Sequence, residues 1–161
     1  MQLDTIEIRR LRDQLLATDS APRAPVLSER ARAAVLKRIE PFAELMYLVM
    51  MADGRSEAEE SATATAALRV LSDEQLSDAE LAAMLDQFAD RALGGVEARI
   101  AQLGAQLSAD PDDRETALAL AAVVAVADRS VAAEENQVVE WVVEYLGVSR
   151  RRLAQVLGEQ G

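Results

Sequence analysis

The chain has no cysteine and no histidine. Without thiols it forms no disulfide and runs no thiol chemistry. Without imidazole it has no Ser-His-Asp triad, no histidine general base and no Cys/His zinc site. Aromatic residues make up only 3% of the sequence, and there are just seven glycines and four prolines. The longest apolar run, Ala117 to Ala127, is 11 residues and ends at Asp128, short of the roughly 18 that a membrane-spanning helix requires. It reads instead as a buried core helix. Basic residues are outnumbered 17 to 28, giving a formal charge of −11, which argues against a nucleic-acid footprint. The first residues, Met1 to Glu7, carry acids where a secretory leader has bases and then an apolar stretch. Together with the missing cysteines, this makes the cytoplasm the expected location.

What remains is helix-forming. Half of the 161 residues are apolar and 31 are alanine, the residue with the highest helix propensity. Leu3 to Ala17 sets Ile8, Leu11 and Leu15 on one helical face, with Glu7, Arg9, Arg10, Arg12 and Asp13 interleaved. Asp19 to Pro25, with two prolines, reads as a linker. Ser28 is the expected cap of a helix through Ile39, and Pro41 then opens a second, where its missing N–H costs nothing. That second helix, Phe42 to Ala52, is apolar nearly all round and belongs in the middle of a domain. Ser56 to Glu59 and Ser77 to Glu80 are capping boxes, the first opening a helix to about Leu71. The second helix of that pair carries Leu81, Met84, Leu85 and Phe88 up to Gly94-Gly95. Val96, Ile100, Leu103 and Leu107 mark the next, and Asp110-Pro111 starts the core helix that ends at Ala127. A helix from about Ala132 to Leu146, a stop at Gly147 and a short helix after Ser149 complete the chain. The expected fold is all-α, a single domain of about seven or eight helices. Residues 1–25 form an N-terminal helix with a proline-containing linker, and 26–161 the helical domain proper.

The pattern occurs twice. Ala52, Asp53, Ala58, Glu59 and Glu60 recur without a gap at Ala127, Asp128, Ala133, Glu134 and Glu135. Allowing three residues of shortening, Ser77, Leu81, Ala82 and Leu85 fall over Ser149, Leu153, Ala154 and Leu157. The repeat halves span about 41–92 and 110–158 and are expected to be pseudo-twofold related. Charge divides the same way. Residues 42–90 carry 11 acids against 2 bases and residues 108–148 carry 9 against 2, while both ends of the chain are slightly basic.

An apolar helix ending in Ala-Asp-Gly, with glutamates a turn into the next helix and a second copy downstream, resembles the TerB-like (tellurite-resistance) family. The residues that carry the resemblance are Leu48 to Glu60 and Ala121 to Glu135. It implies a helical domain with two related halves, of a fold shared with N-terminal regions of some DnaJ-like membrane co-chaperones. It also implies a non-enzymatic role in chemical or metal stress, as a binding component of a multiprotein, membrane-associated assembly. The metal positions it implies are Asp53, Glu59, Glu60, Asp128, Glu134 and Glu135. The second turn departs from the family in having Arg129 where the first has Gly54. With no histidine there is no His-Pro-Asp signature and hence no J-domain, and with no thiol there is no thiol reduction of tellurite. A chain of charge −11 repels an oxyanion.

Read from the residues alone, Asp53 and Asp128 sit at helix C-termini, where the macrodipole disfavours a carboxylate by a few tenths to about 1 kcal/mol. Three partners answer that mismatch. The first is the backbone amide of the next turn, as in an Asx-turn, which makes the chain a structural or adaptor domain with its partner site elsewhere. The second is a hard cation, Ca²⁺ or Mg²⁺, held by carboxylates converging across the turn, although the spacing is not that of an EF-hand. The third is a basic protein partner. Trp141 and Tyr145, at i and i+4, are expected in the core, with an exposed partner anchor as the alternative. Met46, Met50 and Met51 read as core filler, and Arg150-Arg151-Arg152 as a solvated face that neutralises the acidic repeats. The N-terminal helix has two expected fates, packing on the bundle or swapping onto a second copy in a homodimer. A metal-water hydrolase is disfavoured, since no nucleophile or base constellation accompanies the carboxylates.

Overall fold

Capping chemistry sets several of the helix boundaries in the computed structural model, which describes residues 5–16, 29–51, 65–71, 76–127 and 137–160. Among those residues the elements are eight helices and no strand: α1 (Thr5–Leu16), α2 (Glu29–Met50), α3 (65–71), α4 (Asp78–Ala92), α5 (Val96–Leu107), α6 (Pro111–Ala127), α7 (Gln137–Leu146) and α8 (Arg150–Gln160). The chain is all-α, as its composition requires.

At the start of α4, Ser77 Oγ accepts from the Glu80 amide and Glu80 Oε1 accepts from the Ser77 amide, both at 3.2 Å, which closes the expected capping box. Asp110 caps α6 by accepting the amides of Asp112 at 2.8 Å and Asp113 at 3.3 Å, with Pro111 in the first helical position. Ser149 Oγ accepts the Arg152 amide at 3.1 Å and starts α8. Gly147 ends α7 with φ at 71°, a left-handed conformation that a side chain would strain. Its amide donates to Glu144 O and that of Val148 to Val143 O, both at 3.1 Å, the paired bonds of a Schellman motif.

One boundary differs from the sequence expectation. Pro41 does not open a new helix, because α2 runs unbroken through it from Glu29 to Met50. Its ring removes one backbone bond from the interior of the helix. Burial of the apolar stretch that follows, and of Ile39 before it, offsets that loss. The capping box at Ser56 and the linker from Asp19 to Pro25 lie outside the described residues.

The two helices expected at the centre are there. In α2, Phe42, Ala43, Leu45, Met46, Leu48, Val49 and Met50 are buried, and in α6 so are Ala117, Leu118 and every residue from Leu120 to Ala125. Helices α2 and α6 pack on each other, and α1, α5, α7 and α8 pack around α6. Helix α1 joins the same core through Ile8, Leu11 and Leu15. Helices α5 and α7 approach closely at Gly104, where an added Cβ would lie 2.6 Å from the Tyr145 carbonyl oxygen.

Candidate functional site

Two apolar helices lead into the two acidic motifs: α2 ends at Met50, just before Asp53, and α6 ends at Ala127, next to Asp128. Asp53, Glu59, Glu60, Asp128, Glu134 and Glu135 themselves all lie outside the described residues. Among the described residues no three His, Cys, Asp or Glu side chains gather into a group able to hold a metal ion. No described helix is long and apolar enough to cross a membrane.

Several acids among the described residues form ion pairs between helices. Arg38 of α2 pairs with both carboxylate oxygens of Asp113 in the first turn of α6, at 2.6 and 2.8 Å, and its guanidinium lies 5.7 Å from the centre of the Phe42 ring. Arg32 grips Glu80 at 2.5 and 2.6 Å, tying α2 to α4. That contact, with the Ser77 amide second, holds the Glu80 carboxyl below its ordinary range. The arginine run at the C-terminus behaves as expected of neutralising charges: Arg150 pairs with Glu140, Arg152 with Glu115, and Arg151 is exposed.

Sequence reasoning missed the most buried charge among the described residues. Glu44 is 0% exposed, inside the apolar stretch of α2 that follows Pro41. Its Oε1 accepts from Arg91 of α4 at 2.8 Å and from Arg99 of α5 at 2.9 Å, and its Oε2 accepts from Arg99 Nε. Arg91 also reaches Glu40 at 2.9 Å. Those bonds raise the pKa of both arginines above the ordinary guanidinium value. Both oxygens of Glu44 are thus engaged, and the group acts as a clamp joining α2, α4 and α5. The available signal was the one acid between Phe42 and Met51, since a charge on a buried face needs a partner. Arg12 is a second case. At 4% exposure it is not part of a solvated face. It donates to the Val70 carbonyl at 3.0 Å, in the last turn of α3, and to Asp13 at 2.8 Å.

Met46 and Met50 are buried and Met51 packs against the core, as expected of filler. Trp141 and Tyr145 are both half-buried against the core. The Tyr145 hydroxyl donates to Glu97 at 2.9 Å, a bond that raises its pKa above 10.0.

Residues 40–157 match the family model described as tellurite resistance protein TerB. No curated protein and no solved structure matches the chain.

Proposed function

The chain belongs to the TerB tellurite-resistance family, and on that premise we propose that it is a non-enzymatic, cytoplasmic binding module of a chemical- or metal-stress response. Its ligand sites are the two acidic inter-helix turns, Asp53 with Glu59 and Glu60, and Asp128 with Glu134 and Glu135. These take Ca²⁺ or Mg²⁺, or the basic surface of a protein partner. The observation that carries the reading is that the family match, residues 40–157, spans both copies of the acidic motif.

A second reading rests on Asp110. In this same chain an aspartate placed just before a helix spends its carboxylate on two backbone amides. If Asp53 and Asp128 do likewise, the chain is a structural or adaptor domain whose partner site lies elsewhere. Calorimetric titration of metal-stripped protein with Ca²⁺ and Mg²⁺, beside an Asp53→Asn/Asp128→Asn variant, separates the two. Saturable heat that disappears in the variant supports the ligand sites. Absence of heat in both proteins, with the variant less stable, overturns them in favour of caps.

A further inference from the structure

Gln137, Glu140, Trp141 and Glu144 fall at i, i+3, i+4 and i+7 of α7 and so share one helical face. With Arg150 and Leu153 of α8 they line an open cleft of about 330 Å³, at the small end of the roughly 300–1,000 Å³ that ligand pockets occupy. Trp141 packs on the core with part of its surface and lines the cleft with another part. Glu140 and Glu144, one turn apart, repel each other. Arg150 relieves Glu140 at 3.0 Å through a guanidinium that is 75% exposed, and a pair so open to water is loosely held. Glu144 is exposed and has no ion-pair partner among the described residues. The cleft therefore combines an accessible indole, one loosely paired carboxylate and one unpaired carboxylate, in a chain of charge −11.

We propose that the α7–α8 cleft is a docking site for an arginine side chain on a protein partner, its guanidinium stacked on Trp141 and paired with Glu144. Guanidinium is the group that satisfies both walls together. It is planar enough to lie on an indole, and its fork of donors matches a carboxylate. The chain's own Arg150, seated on Glu140, already places a guanidinium at the rim. The net negative charge steers a basic segment toward the molecule. The described residues that line it are different residues from the acids of the two turns.

Trp141 is the only tryptophan, so its emission reports on the cleft. The full chain is titrated to millimolar concentration with a short blocked peptide carrying arginine, and with the same peptide carrying citrulline, which has the same shape without the charge. The expected result is a saturable change with arginine only. Glu144→Gln should weaken it about fivefold, and Arg150→Ala, by freeing Glu140, should strengthen it about threefold, in line with single exposed charge and cation–π contacts. Asp86→Asn, at an exposed acid of α4 outside the cleft, should bind as the parent does. Equal binding of citrulline, no saturable change with arginine, weaker binding in Arg150→Ala, or loss in the Asp86→Asn control would each overturn the proposal.

Discussion

Glu44 has no contact with water, and its two partners are only partly buried. Replacing it with glutamine keeps the shape but leaves Arg91 and Arg99 facing a neutral amide. Since both arginines retain some solvent, the expected cost is about 2–3 kcal/mol, below that of a fully buried orphaned charge. Urea unfolding of Glu44→Gln measures it. The Arg32–Glu80 contact makes an opposite kind of claim, about pH. The Glu80 carboxyl is depressed below its ordinary value of 4.5, so its stabilising effect is present above that pH and lost as pH falls through the folded value. A carboxyl NMR titration should place the Glu80 midpoint below 4.5 and return it toward 4.5 in Arg32→Ala. Tyr145 runs the other way. Its phenol is raised above 10.0 by Glu97, so its contribution holds below that pH and fades above it. In a Tyr47→Phe background, which leaves one tyrosine, Glu97→Gln should move the ultraviolet ionisation midpoint down toward 10.0. These single-residue partnerships were the least legible in the sequence. Arg12 falls four residues after Ile8 and three before Leu15, on the buried face, yet only tertiary contact supplies the Val70 carbonyl that makes its burial tolerable.

At the scale of elements, the sequence was most legible where chemistry is local. Ser77, Asp110, Ser149 and Gly147 each act on amides or carbonyls within five residues, so their roles follow from spacing. Pro41 was misread for the complementary reason. A proline at that position suits a helix start on local grounds, and only the burial on either side of it keeps α2 continuous. Gly104 was likewise invisible as a packing residue, because its partner lies about forty residues away on α7. A methyl group added at Gly104 would overlap the Tyr145 backbone, so Gly104→Ala should force α5 and α7 apart at a cost of about 2–3 kcal/mol. Gly158 in α8 has nothing within 4 Å of an added Cβ, and Gly158→Ala should stabilise by about 0.5–1 kcal/mol. Thermal unfolding of the two variants tests both signs at once.

For the whole molecule, the apolar stretches of α2 and α6 form the centre of the frame, and α1, α4, α5, α7 and α8 each pack on one or both of these helices. Helix α1 belongs to it although the family match begins at residue 40. Burying Ile8, Leu11 and Leu15 is worth about 1.5–3 kcal/mol each, so removing residues 1–16 should lower the unfolding midpoint of the whole bundle. Composition and periodicity made the all-α class and the central helices readable, and the duplicated acidic motif pointed to the family. The ligand of that motif was not readable, because caps, cations and basic partners all use the same carboxylates. The most direct measurement is therefore a Mn²⁺ titration of ¹⁵N-labelled protein followed by amide NMR, in which a bound paramagnetic ion broadens its neighbours. The expected result is early loss of amide signals from residues 52–60 and 127–136, abolished in Asp53→Asn/Asp128→Asn. Broadening spread evenly over the acidic helix surfaces, and unchanged in that variant, would contradict the assignment of the two turns as ligand sites.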